Sequence, residues 1–250
     1  MVVVPYTVVD DAISLSTALC SLNVVSITAK PILYVDLEGI NLCRHGSISI
    51  LQIYQSEQDH VYLIDVHRLG ASAFKTKSND GSATLKSVLE NKLLAKAFFD
   101  VRNDSDALYN QFDVYLQGVV DLQLMELRTR TRSKKLLNGL ARCSRESFCQ
   151  VAHDSGSSRM ETGEASWTPP FAPERGGAYE VFNIRPMKQE IVDYCIQDVT
   201  FLPKLYDEYS QGMTRAWEVR LSKEASNRVA VCQQSTYIPN GRQKALAPIL

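Results

Sequence analysis

Ile32-Leu33-Tyr34-Val35-Asp36-Leu37-Glu38-Gly39 is the stretch on which the reading of this chain turns. An apolar, β-favouring run meets two acids one residue apart, just where the pattern becomes polar. In a strand, side chains at i and i+2 leave the same face, so both carboxylates would look toward one place. Anions held side by side raise each other's pKa unless a cation or a shared proton compensates. A hard divalent metal with oxygen ligands is the natural compensation. Alone, such a pair is most often a solvated strand exit, so its meaning depends on what other segments bring to it.

Two later segments bring partners. Lys96-Ala97-Phe98-Phe99-Asp100-Val101-Arg102-Asn103-Asp104-Ser105-Asp106-Ala107-Leu108 reads as a short buried strand followed by a helix start. Asp104 and Ser105 read as capping chemistry, with Leu108 and Phe112 as an i, i+4 apolar pair. Asp100 and Asp104 read as acids favoured by the helix dipole. Asp106 is placed differently, early in the helix and able to look back toward the end of the first strand. Farther on, Glu190-Ile191-Val192-Asp193-Tyr194-Cys195-Ile196-Gln197-Asp198-Val199-Thr200-Phe201-Leu202 has a clear helical pattern. Tyr194 and Asp198 at i, i+4 stack a phenol and a carboxylate on one face.

Taken together, Asp36 with Glu38, then Asp106, then Tyr194 with Asp198 resemble the DEDD superfamily of 3′–5′ exonucleases. The tyrosine points to the DEDDy branch, which includes ribonuclease D and the Werner-type and EXD-like exonuclease domains. The histidine-bearing sister branch would need His where Asp193 stands. The resemblance runs from about residue 8 to about residue 206, with Ser49-Ile50-Leu51-Gln52-Ile53 resembling the second strand, Asp121-Leu122-Gln123 a structural step, and Arg185-Pro186 the lead-in to the third motif. It implies an α/β, ribonuclease H-like (DnaQ-like exonuclease) fold, a mixed central sheet flanked by helices. It also implies a catalytic set of Asp36, Glu38, Asp106, Tyr194 and Asp198, the four acids holding two divalent ions, magnesium with manganese able to substitute. Tyr194 would orient the attacking water. The implied substrate is single-stranded RNA or DNA with a free 3′ end, RNA favoured by the closer likeness to ribonuclease D, and the product a nucleoside 5′-monophosphate. The chain departs from the pattern at Phe99, where many relatives carry histidine, and in the long segment from residue 153 to 183.

Composition agrees with a globular enzyme. With 250 residues, 45% hydrophobic and 22% charged, the chain can bury a full core and reads as one domain spanning 1–250. No run approaches the roughly 20 apolar residues of a membrane span, and the start lacks a secretory pattern, so an intracellular protein, nuclear or cytoplasmic, is expected. The six cysteines form no CxxC and the four histidines no ligand spacing, which argues against a zinc site or a disulfide framework.

Strands are expected near residues 7–9, 31–35, 47–54, 60–65, 95–99 and 118–120, and helices over 12–22, 84–91, up to about 112, and 211–232. Residues 151–186, rich in Ser, Gly and Pro, read as a flexible loop, and residues 211–250 as a C-terminal helical extension. Trp167, Phe171 and Tyr179 would either stack on bases or pin that loop to the body. The formal charge of −1 lacks the basic footprint of a protein that coats nucleic acid. Arg128, Arg130, Arg132, Lys134 and Lys135 nonetheless crowd into eight residues, and are expected to track phosphates toward the metals. A catalytically silent nucleic-acid or protein adaptor on the same fold is the alternative. A Rossmann oxidoreductase fits poorly, because no glycine-rich turn follows an early strand.

Overall fold

The first elements form where local chemistry favours them. The computed structural model describes residues 4–24, 30–154 and 177–250, with side chains left out for 148–154. Strand β1 (Tyr6–Val9) runs into α1 (Ala12–Leu22), which opens on an Asp11–Ser14 capping box that satisfies the free N–H groups of its first turn. A meander follows, β2 (Leu33–Glu38), β3 (Ile50–Gln55) and β4 (His60–Ile64), then the short helices α2 (Val66–Leu69), α3 (Ser72–Lys75) and α4 (Leu85–Glu90), the last with a Thr84–Ser87 capping box. Strand β5 (Lys96–Phe98), helix α5 (Arg102–Phe112), strand β6 (Val119–Asp121) and helix α6 (Leu122–Thr129) complete the alternating part. Helices α7 (Leu140–Asp154), α8 (Gln189–Tyr209) and α9 (Arg215–Cys232) close the chain. No helix among the described residues is long and apolar enough to cross a membrane.

The six strands form one mixed sheet in the order β1-β4-β3-β2-β5-β6. The β2–β3–β4 ladders are antiparallel, whereas β1–β4, β2–β5 and β5–β6 are parallel. Strand alternation sorts the core into two faces. Leu33, Val35 and Leu37 of β2, with Leu51 and Ile53 of β3, pack against α1, α4 and α5. Tyr34 of β2, Ile50 of β3 and Leu63 of β4 face the other way, onto α6 and α8. Asp36 and Glu38 share the parity of Tyr34 and therefore emerge on the face covered by α8. The expected α/β architecture of a mixed sheet with helices on both sides is what forms.

Three differences from expectation matter for the site. Strand β2 continues through both acids instead of stopping at Val35, because its ladder with β3 pairs Asp36 with Gln52 and Glu38 with Ile50. Helix α5 starts at Arg102, so Asp104 and Ser105 lie inside its first turn and buried, not at its cap. Within the expected loop, α7 reaches Asp154 and a 3-10 turn forms at Tyr179–Asn183. Phe182 of that turn is fully buried against the sheet and α8, with Tyr179 stacked on it, so this end of the segment is pinned to the body.

Candidate metal centre and active site

Three carboxylates converge at the end of β2. Oxygens of Asp36 and Glu38 from β2 and of Asp198 from α8 all lie within 4.8 Å of one another. Asp198 is 5% exposed, and Asp36 and Glu38 are half-buried. At an effective dielectric of about 20, two full charges at that separation repel by roughly 3 kcal/mol per pair. Burial pushes the Asp36 carboxyl up to about 6, although its Oδ2 accepts a 2.8 Å hydrogen bond from Gln52 directly across the ladder. Glu38 and Asp198 are raised well above the usual carboxylate range, first by burial and then by the Asp36 charge. Tyr194, one turn before Asp198, offers its hydroxyl to both Glu38 and Asp198, and burial among these acids holds its own proton tightly. Such a site is chemically incomplete without positive charge. Its all-oxygen donor set fits a hard divalent cation.

Asp106, expected as the fourth acid, is not among the three that converge. Asp106 is fully buried, with Oδ2 accepting from the Arg44 backbone N–H at 2.7 Å and Oδ1 from Arg44 Nε at 2.8 Å and Asn110 Nδ2 at 3.2 Å. It is a strut between α5 and the loop after β2. Residues two apart on a helix point about 200° apart, so when Asp106 faces that loop Asp104 must face elsewhere. Asp104 is 5% exposed and its carboxyl is raised far above normal by burial and then by Asp36, whose charge it feels. Of the two, Asp104 is the acid whose carboxyl feels the Asp36 charge.

Supporting contacts hold this arrangement from below. Arg185 grips buried Asp65 through both guanidinium edges, 2.6 Å from Nη2 to Oδ1, and Asn183 meets Ser49 Oγ at 2.6 Å, which ties the lead-in of α8 to β3 and β4. Asp121 caps α6 by accepting from Gln123 N–H, and takes 2.8 Å from Arg228 Nη1 of α9, so the structural role expected of Asp121-Leu122-Gln123 is visible. Asp100 sits at φ +63° with its backbone N–H on Asp121 and its carboxylate forked onto Arg102. Phe99 is half-buried against the α6/α8 cluster.

Part of the basic run is engaged in holding the fold. Arg128 spends its guanidinium on the carbonyls of Tyr209, Gln211 and Gly212 at the α8–α9 turn. Arg130 pairs with the nearly buried Glu126, and Lys134 Nζ donates to the Arg128 carbonyl at 2.9 Å. Local sequence showed charge but not the carbonyls that consume it. Arg132 and Lys135 are exposed, and Trp167 lies outside the described residues.

A family model described as 3′-5′ exonuclease matches residues 6–211. The chain belongs to this exonuclease family. Mouse piRNA biogenesis protein EXD1 is 37% identical over 101 residues, which is 40% of this chain and 16% of that protein; the chain therefore corresponds to a small part of such a relative. Among solved structures, Trypanosoma brucei RNase D in complex with GMP superposes with a TM-score of 0.71 at 24% identity, covering 98% of this chain and 69% of the other. The same enzyme in complex with RNA U12 gives 0.69 at 22% identity, covering 98% and 76%. These likenesses establish the ribonuclease D-like exonuclease fold. Sequence reasoning read Asp104 as capping chemistry and Gln52 as part of the second strand, and did not single out Arg44; the opposed helix faces of Asp104 and Asp106 were a signal available in the spacing.

Proposed function

We propose that this exonuclease-family chain is an active, metal-dependent 3′–5′ exonuclease that shortens single-stranded RNA, and DNA less well, releasing nucleoside 5′-monophosphates. The observation that carries this reading is the closure of Asp36, Glu38 and Asp198 to within 4.8 Å, with the Tyr194 hydroxyl bonded to Glu38 and Asp198 and Asp104 close enough to feel the Asp36 charge. Asp36, Glu38, Asp104 and Asp198 would hold two divalent cations, magnesium or manganese. Bound there, the cations supply charge stabilisation to attacking, leaving and phosphoryl oxygens. The four carboxylates fix where that positive charge sits, and Gln52 keeps Asp36 in the rotamer that points inward. Tyr194 presents a phenol whose proton burial holds firmly. It acts by orienting the attacking water through hydrogen bonds, not by taking its proton. The preference for RNA is supported by relatives whose names concern it, an RNase D bound to RNA and a piRNA biogenesis protein.

Matched 5′-labelled RNA and DNA single strands, incubated with magnesium, manganese or EDTA, test the proposal. Stepwise loss from the 3′ end with either metal and none in EDTA is expected, faster for RNA. Binding without any shortening would refute it and favour the adaptor reading.

A further inference from the structure

Beyond α9 the chain does not leave the molecule; it returns over the loop after β2, the segment before α7 and the start of α5. Arg44, already anchored on Asp106, donates to the carbonyls of Cys232, Gln234 and Ser235 at 2.8, 2.9 and 3.4 Å. Asn240 reaches Asn41 in the loop after β2. Leu137 N–H donates to the Ala245 carbonyl and Ala247 N–H to the Lys135 carbonyl, at 2.9 and 3.1 Å. Between these anchors a 3-10 turn, Arg242–Ala245, carries Lys244 inward, where its Nζ meets Asn103 Oδ1 of α5 at 2.5 Å. Asn103 directly precedes Asp104 in the chain. Nearby cations are spoken for: Arg44 by Asp106, Arg102 by Asp100, and Arg228 by Asp121. Among the described residues Lys244 makes no ion pair within 4 Å, yet it is half-buried and close enough to feel the charges of Asp100 and Asp104.

An ammonium kept from water needs an anion to repay its desolvation, and these two carboxylates lie beyond contact. Such a cation, tethered to the Asn103 side chain on a segment pinned by backbone hydrogen bonds, is pre-organised to meet an incoming anion. We propose that residues 235–250 complete the active site, with Lys244 donating to the phosphate of the 3′-terminal nucleotide. This inference rests on the nuclease reading for the nature of the anion.

The test uses the full-length protein and adenosine 5′-monophosphate, which resembles the expected product and is not turned over. Dissociation constants are measured by calorimetry in magnesium for wild type, Lys244→Gln and Lys244→Arg, with adenosine as the phosphate-free control. Gln keeps a donor for Asn103 and removes the charge, so melting temperature should hold while affinity for the monophosphate falls about tenfold. Its salt dependence should weaken in parallel. Arg should restore affinity to within about threefold, and adenosine binding should be indifferent to both changes. Unchanged monophosphate binding in Lys244→Gln, tighter binding, or no binding by the wild type would each overturn the proposal. A purely structural role would lower melting temperature and weaken adenosine equally. RNA shortening is scored separately on the wild type, so its absence sinks the hydrolase reading while the monophosphate measurements still decide Lys244.

Discussion

Exchanging Asp104 and Asp106 for Asn, one at a time, separates the two roles that the structure gives these neighbours. Asp106→Asn removes the charge from a pair in which Asp106 is 0% and Arg44 10% exposed at the side chain. Breaking one partner of a buried pair typically destabilises by about 3–5 kcal/mol, because the other charge is left uncompensated. Asn retains one acceptor oxygen for the Arg44 N–H, so the lower end, about 3 kcal/mol, is expected. At roughly 2–4 °C per kcal/mol for a chain of this size, the melting temperature should drop by about 6–12 °C. Asp104→Asn has the opposite signature. It removes a buried carboxylate that repels Asp36, so the metal-free protein should melt at the same temperature or slightly higher. Exonuclease turnover in magnesium should fall at least about a hundredfold, since the ligand set loses a charge. Differential scanning calorimetry in EDTA and a labelled-RNA assay at 20 °C, where Asp106→Asn remains folded, read both quantities. Full loss of turnover in a thermally intact Asp106→Asn protein, with Asp104→Asn active, would refute the assignment.

Other outcomes follow from the same geometry. Asp36 titrates at about 6 in the folded protein, above the usual carboxylate value near 4, so the native state keeps a proton that the unfolded chain has released between those values. Metal-free stability from this group therefore falls as pH rises through about 4–6, and the penalty is fully present above it. Buried Lys96, lowered to about 7 by desolvation, adds a slope of opposite sign at higher pH, so the comparison must be made against a variant. In EDTA, denaturant titrations should show Asp36→Asn more stable than wild type at pH 8 and nearly equal to it at pH 4; an equal gap at both would contradict the burial argument. Arg128→Ala should lower the melting temperature by several degrees, through loss of its bonds to the Tyr209, Gln211 and Gly212 carbonyls, while RNA affinity stays within about twofold. Weaker RNA binding without destabilisation would return Arg128 to a phosphate role. Tyr194→Phe should slow turnover by about ten- to a hundredfold with little change in KM, and steady-state kinetics giving wild-type rates would remove the tyrosine from the mechanism.

Much of the architecture was legible because its causes are local. Alternation along Leu33–Glu38 placed Asp36 and Glu38 on one face, and helical spacing placed Tyr194 one turn from Asp198. The helices expected over 12–22 and 84–91 form at Ala12–Leu22 and Leu85–Glu90, each opened by a local capping box. Helix α5 was harder, since Asn103-Asp104-Ser105-Asp106 is polar throughout and hydropathy cannot say which face turns inward. That choice is made by Arg44, which lies 62 residues away and claims Asp106 before a metal can.

What the chain order alone determined is the inventory and its periodicity: six strand-forming runs, an acid pair at a strand end, and a phenol and carboxylate stacked on a helix. Tertiary structure decided which charges are free. Arg128 and Arg130, conspicuous in sequence, are absorbed by carbonyls and by Glu126, while Lys244, inconspicuous in the tail, arrives beside Asn103, within reach of the Asp100 and Asp104 charges. The reason is physical: whether a charged side chain acts or merely supports depends on partners that only chain folding brings within hydrogen-bonding reach.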